Sequence, residues 1–324
     1  MRTSIDRRSF LKTTGIAAGM GLAGLGRFGA VAAEPALAKG APNAEKIGWR
    51  LGCQAYSFNR FTFYEALEKN HALGLRYIEV FPRQKLSKEK PDVVTDMSMP
   101  SEIRKELKQK AADLGIKLAA FGVYRVPNDE AQCRPVFEFL KDMEIETLVS
   151  EPPLEAMEML DKLCNEYQIN LAIHNHPKPS PYWDYKTVLK ACEGRSKRIG
   201  SCADTGHWMR SGIEPLEAVK ALQGRIIEFH LKDLNAFGTK EAHDVPWGTG
   251  KGNLDAVLAE VYRQGFRGLF AIEYEYNWLE SVPEIAQCVQ YFNAAAAKLA
   301  GSGTTSGGKK AGGKKGRGKK AKGN

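Results

Sequence analysis

No two of the six cysteines in this 324-residue sequence are spaced as Cys-x-x-Cys. Cys53, Cys133, Cys164, Cys192, Cys202 and Cys288 are scattered, which speaks against a thiolate zinc site. A core built from a chain this long does not need disulfide staples either. The cysteines read as small buried apolar residues. A glycine-rich phosphate turn is also missing, because "CQAYSFNRF", after the first strand-like run, has none. That removes the main support for an open dinucleotide-binding sheet. The net charge of +9 does not belong to the middle of the chain. The stretch from Gly301 carries eight Lys or Arg and no acid, and residues 1–33 carry five basic residues against Asp6. Without those ends +9 becomes −3, and a mildly acidic body offers no general footprint for phosphate backbones.

The ends have their own character. "SIDRRSFLKTTGIAAGMGLAGLGRFGAVAAE" puts Arg7 and Arg8 before Ser9, Phe10, Leu11 and Lys12, then a Gly/Ala-rich run containing Arg27. That run is too weakly apolar for a membrane anchor. Ala30, Ala32 and Ala33 suit signal peptidase, and no Cys follows for a lipid anchor. The segment resembles a twin-arginine export signal, with Asp6 where Ser or Thr is usual. The expected organisation is a signal at 1–33, a linker at 34–45, one domain at 46–299 and a disordered Gly/Lys-rich tail at 300–324. The mature protein is expected in the periplasm, or otherwise exported, with no membrane span. A homo-oligomer is compatible with the sequence.

Between the ends, strand-like and helix-like patterns alternate eight times. Strands are predicted at 48–56, 77–81, 117–124, 147–151, 170–174, 199–203, 226–230 and 269–273. Helices are predicted at 63–73, 101–114, 130–143, 154–167, 185–192, 215–222, 254–264 and 282–299. Gly74, Gly115, Gly224 and Gly265 sit where helices end, and Pro215 suits a first turn. "LAIH", "IIEFH" and "GLFAIE" are apolar at consecutive positions, as parallel strands covered on both faces must be. Eight successive units predict an α/β fold, the (β/α)8 TIM barrel.

In such a barrel, chemistry gathers at the carboxyl ends of the strands. Those positions supply Glu79 in "YIEVFP", Glu151 in "LVSEPP", His174 and His176 in "AIHNHP", and Asp204 and His207 in "GSCADTGHW". His230 in "EFHLKD" and Glu273 with Glu275 in "AIEYE" follow. Carboxylates gathered in a barrel mouth repel one another unless a cation joins them. Glu151, Asp204, His230 and Glu273 make a donor set of three carboxylates and one imidazole. It suits a divalent ion, Mn²⁺ first, with Mg²⁺, Co²⁺ or Zn²⁺ as alternatives. Strand alternation puts Glu275 on the same side as Glu273, which leaves the choice between them open. Trp208, Trp247 and Trp278 follow strands six, seven and eight and suit stacking on a ligand face or plain packing. Lys232, Tyr124 and Arg125 are candidates for contacts with substrate hydroxyls.

Through "IEVFP", "SEPP", "IHNHP", "CADTGHW", "FHLKD", "VPWGTGKGNLD" and "AIEYE", the region from about Lys46 to Lys298 resembles the xylose-isomerase-like barrel superfamily of sugar isomerases and epimerases. The resemblance implies that Glu151, Asp204, His230 and Glu273 hold the metal. Glu151 and Glu273 would also exchange protons with the substrate, and His207 would contact it. His174, His176, Glu79, Lys232 and Trp208 complete the expected substrate site. The implied reaction is metal-dependent isomerisation or epimerisation through an enediolate. The substrate would be a non-phosphorylated sugar, a cyclitol or a keto-glycoside, and elimination at the same site is an alternative. Apurinic endonucleases share this barrel but need extra histidines on early strands, and "LAAFGVYRV" has none; His243 and Asp244 keep that alternative open. A non-catalytic sugar-binding protein is the other. No specific nucleic-acid partner is expected.

Overall fold

A computed structural model describes residues 39–303. The segment read as an export signal and the basic tail beyond 303 lie outside the described residues. The chain runs α1 (Pro42–Lys46), β1 (Arg50–Gln54), α2 (Phe63–Ala72), β2 (Tyr77–Val80), α3 (Ser101–Asp113), β3 (Lys117–Phe121), α4 (Glu130–Asp142) and β4 (Thr147–Ser150). It continues α5 (Met157–Tyr167), β5 (Asn170–His174), α6 (Tyr185–Cys192), β6 (Ile199–Asp204), α7 (Thr205–Arg210), α8 (Pro215–Ala221) and β7 (Ile226–Leu231). The last elements are α9 (Leu254–Arg263), β8 (Leu269–Ile272) and α10 (Val282–Gly303). Each strand lies parallel to the next in chain order, and β8 pairs back onto β1. The barrel is closed and has no sheet edge.

Side-chain alternation divides the core in two. Leu51, Ile78, Leu148, Ile173, Phe229 and Phe270 join the large cluster that the helices cover. Their strand neighbours Val149, Ala172, Cys202, Leu269 and Ala271 form a second, small-residue cluster. The same alternation carries the small series on to Glu151, His174, Asp204 and Glu273 at the carboxyl ends. Small residues below therefore leave the polar side chains above room to converge.

Local signals set the helix bounds. Thr62 and Glu65 form a reciprocal cap at the start of α2. Gly74 follows that helix with φ +71°, and a Cβ there would meet Gly40 N at 2.4 Å. Two helices were not expected. The five residues of α1 fall in the segment read as a linker, where Ala44 is buried and Asn43 N–H donates to Asn293 of α10 at 2.8 Å. The six residues of α7 follow β6 directly. Both are too short to show a helical period. At the other end α10 runs to Gly303, past the boundary expected at 299. Among the described residues no helix is long and apolar enough to cross a membrane.

Candidate active site

The first residue to place is Asp204, the last of β6 and the cap of α7. Its Oδ1 accepts the His207 backbone N–H at 2.7 Å. That leaves Oδ2 facing the barrel mouth, 3.5 Å from His174 Nε2, 3.7 Å from His207 Nε2 and 2.9 Å from Lys232 Nζ. Donor atoms of His174, Asp204, His207 and Glu273 all lie within 4.8 Å of one another, and all four residues are buried. Lys232 closes the group, with Nζ 2.7 Å from Glu273 Oε2 and 2.7 Å from Glu275 Oε2.

Burial opposes charge on every member, and their mutual attraction decides the outcome. It opposes ionisation of Asp204 and Glu273, yet both carboxyls are held well below the usual range, Asp204 by His207 and Lys232 and Glu273 by Lys232 and His230. It opposes protonation of Lys232, yet Asp204, Glu273 and Glu275 hold its pKa well above the ordinary value. Burial, Lys232, His174 and Arg210 push His207 well down despite Asp204. Several buried polar atoms in the group have no aligned hydrogen-bond partner: Asp204 Oδ2, both ring nitrogens of His174, and His230 Nδ1. Buried polar atoms are normally satisfied. Open lone pairs on a carboxylate and imidazoles fit a divalent cation.

The four ligands expected from the sequence do not form one compact group here. Asp204 and Glu273 belong to it, whereas Glu151 and His230 lie on either side. Glu151 accepts from the His176 backbone N–H at 2.7 Å and from Ser180 Oγ at 2.9 Å, and is 3.8 Å from His174 Nδ1. His230 turns Nε2 to Glu79 at 2.6 Å and Nδ1 to Glu273 at 3.1 Å. Below the mouth β7 also buries Glu228, and Glu228, Cys202 and His230 make a separate cluster. Burial and the neighbouring Glu79 hold the Glu228 carboxyl well above the usual range.

Three residues expected to contact substrate are buried. Glu79 is fully buried and spends its carboxylate on His230 and Gln54. Trp208 is fully buried in the core, because α7 turns it away from the side that carries His207. Lys232 is fully buried among carboxylates. Trp247 is buried as well, whereas Trp278 packs edge-on against Tyr56. The open side of the group faces a cavity of about 500 Å³, whose walls include Glu151, His176, His207, Glu273, Tyr124 and Arg125. Gln54, Tyr56 and Phe81 also line it and went unnoticed in the sequence. Gln54 closes β1, so its strand-end position was a usable signal. His243 stacks on Tyr276 at 4.2 Å and Asp244 meets Arg210 at 3.3 Å. Neither belongs to a cluster of metal-donor side chains among the described residues.

The "VPWGTGKGNLD" stretch has a structural explanation. Asp233 accepts the backbone N–H groups of Gly248, Gly250 and Gly252 at 2.9, 2.9 and 2.8 Å. A Cβ on Gly250 would lie 2.3 Å from Asp233 Oδ1. The glycines let the chain wrap one carboxylate and fix the loop after β7.

Closed parallel strands with an ionisable cluster at their carboxyl ends define a (β/α)8 barrel that carries its site at the mouth. Residues 153–294 match the xylose isomerase-like TIM barrel family. An uncharacterized protein from Parabacteroides distasonis is 32% identical, with a TM-score of 0.62 over 75% of this chain and 98% of its own. The chain belongs to the xylose isomerase-like TIM barrel family. A xylose isomerase-like TIM barrel protein from Mycobacterium smegmatis, in complex with magnesium, is 12% identical (TM-score 0.61, 78% of this chain, 97% of that one). A D-tagatose 3-epimerase-like protein is 16% identical (TM-score 0.58, 77% and 98%). These two show the likeness of fold. No curated protein matches the sequence.

Proposed function

We propose that the protein is a metal-dependent isomerase or epimerase of a non-phosphorylated sugar, cyclitol or keto-glycoside. The observation that carries this reading is the buried group of His174, Asp204, His207 and Glu273, whose donor atoms lie within 4.8 Å of one another, opening onto a cavity of about 500 Å³. That volume suits a small ligand. The fold likeness to a D-tagatose 3-epimerase-like protein and to a magnesium-bound barrel supports it.

Asp204 and Glu273 would hold the ion, with His174 beside them and Glu151 and His230 within reach through small side-chain movements. When bound, the ion polarises a carbonyl and makes the adjacent C–H more acidic. Mn²⁺ suits the donors best, and Mg²⁺, Co²⁺ or Zn²⁺ are alternatives. The chain's own groups do the rest. Glu273 and Glu151 follow β8 and β4, four strands apart on an eight-strand ring, so they face each other across the mouth. One can remove a proton from one face of the substrate, and the other, itself ionised at rest, must first take up a proton from water before it delivers one to the opposite face. Glu273 is held ionised and able to accept by Lys232 and His230, against burial. Glu151 is held low by His174 and His176, against burial. His207 lines the wall and hydrogen-bonds substrate oxygens, whereas Gln54 beside it spends its amide on Gly122 O and Glu79.

The test is exchange of a substrate C–H with deuterated water over a panel of ketoses, keto-inositols and 3-keto glycosides. The reading expects exchange that requires a divalent ion and is lost in Glu151→Gln and Glu273→Gln. Exchange with none of them contradicts it, and loss of water or of the aglycone assigns the site to elimination instead. Export is part of the same proposal. Residues 1–33 should carry a folded reporter across the membrane, and Arg7→Lys with Arg8→Lys should stop it.

A further inference from the structure

We infer that Arg210 is a positioning residue that fixes the His207 imidazole as a hydrogen-bond donor into the cavity and so keeps His207 out of the metal's coordination shell. The inference rests on the proposed sugar site for its consequence, but not for its geometry.

His207 and Arg210 are three residues apart on α7 and share a face. Arg210 Nη1 lies 3.0 Å from His207 Nδ1. A guanidinium has donors only, so Nδ1 must accept with its lone pair and the ring hydrogen sits on Nε2. The guanidinium is not free to swing away. Its Nε donates to Ala242 O at 3.0 Å, Nη2 to Asp244 Oδ2 at 3.3 Å and Nη1 also to Glu275 Oε2 at 3.4 Å. These partners come from the loops after β7 and β8, and the Arg210 side chain is 10% exposed.

His207 Nε2 stands 3.7 Å from Asp204 Oδ2, beyond hydrogen-bond reach, and the ring lines the cavity. The N–H is therefore left for a substrate oxygen. A nitrogen that bears a hydrogen has no lone pair for a metal. His207 lies within 4.8 Å of the other donors, yet it is a donor toward oxygen and not a ligand. As a proton leaves the substrate carbon, negative charge grows on the neighbouring oxygen. An N–H already aimed there gains most in the transition state. No proton need pass from His207.

The alternative is that Arg210 only clamps two loops together. Long-range ¹H–¹⁵N spectra of the metal-free, full-length protein distinguish the two, with the His207 signals assigned by their loss in His207→Gln. The expected result is a neutral His207 carrying hydrogen on Nε2. In Arg210→Met the tautomer should shift toward Nδ1–H, and Arg210→Lys should restore it. Hydrogen on Nδ1 in the native protein, or an unchanged tautomer in Arg210→Met, overturns the inference. If Arg210→Met does not fold, the native and Arg210→Lys spectra still decide. With a competent sugar, Arg210→Met should lower kcat on the order of 10- to 100-fold with a smaller change in KM. Failure of every sugar to exchange would remove the proposed function and leave the tautomer result to be judged alone.

Discussion

Lys232 Nζ stands 2.7 Å from Glu273 Oε2, with Lys232 fully shut away from solvent. The same ammonium is 2.9 Å from Asp204 Oδ2, so one buried cation joins two carboxylates that would otherwise repel. Lys232→Met should destabilise the metal-free protein by about 3–5 kcal/mol, the usual cost of leaving a buried charge unpaired. A divalent ion supplies the missing positive charge and should recover part of that loss. Urea denaturation with and without Mn²⁺ checks this. A loss that Mn²⁺ leaves untouched would mean that ion and ammonium do not serve the same carboxylates.

Asp244 predicts a pH dependence of the opposite sense to most carboxylates. Burial, helped by Glu275 and Asp204 and opposed by Lys232 and Arg210, pushes its pKa up from 3.8 to about 7. Between those values the folded protein keeps a proton that the unfolded chain has released. Its contribution is therefore fully present below about pH 4 and is lost as pH rises through about 7. The gap corresponds to on the order of 4 kcal/mol. Asp244→Asn should flatten the fall in stability between about pH 4 and 8, relative to the native protein. Parallel pH profiles of native and variant in urea denaturation would show that Asp244 does not titrate in this way.

Glu79 reports on His230. The hydrogen bond from His230 Nε2 to Glu79 at 2.6 Å leaves Nδ1 as the nitrogen facing Glu273. A carboxylate behind an imidazole orients it and raises its basicity toward a metal. If Nδ1 reaches the ion, Glu79→Gln should weaken divalent-metal affinity by about 10- to 100-fold. Calorimetric titration measures it, and an unchanged affinity would take His230 out of the ion's donors.

Asp233 should matter to the loop rather than to the chemistry. Asp233→Ala removes the acceptor of three backbone N–H groups. The expected cost is about 2–4 kcal/mol, with faster proteolysis between residues 235 and 253. Native-like protease resistance of that loop would contradict the role.

The barrel was legible because strand periodicity and terminal glycines are local properties. Gly74 at φ +71° and the apolar run of β5 say the same thing in sequence and in space. The candidate site was legible as far as strand ends allow, which is why Asp204, His174, His207 and Glu273 stood out. How side chains divide among partners was not legible, since it depends on registers between strands. Pairing of Asp204 with His230 between β6 and β7 sets the two side by side, but Glu79, two strands beyond β8 around the ring, draws the imidazole away. Arg210 was missed for a related reason: its partners come from loops 32 and 65 residues further along. Trp208 misled because the short helix α7 that aims it into the core leaves no periodic trace.

The central claim is that one divalent ion sits between Asp204 and Glu273 at the barrel mouth. Anomalous diffraction from crystals soaked in Mn²⁺ tests it most directly. The account predicts one strong peak about 2.0–2.3 Å from a carboxylate oxygen of each. The peak should be absent in Asp204→Asn with Glu273→Gln and should have no ligand bond from His207. A peak elsewhere, or none, with Lys232 still bridging both carboxylates, would contradict it.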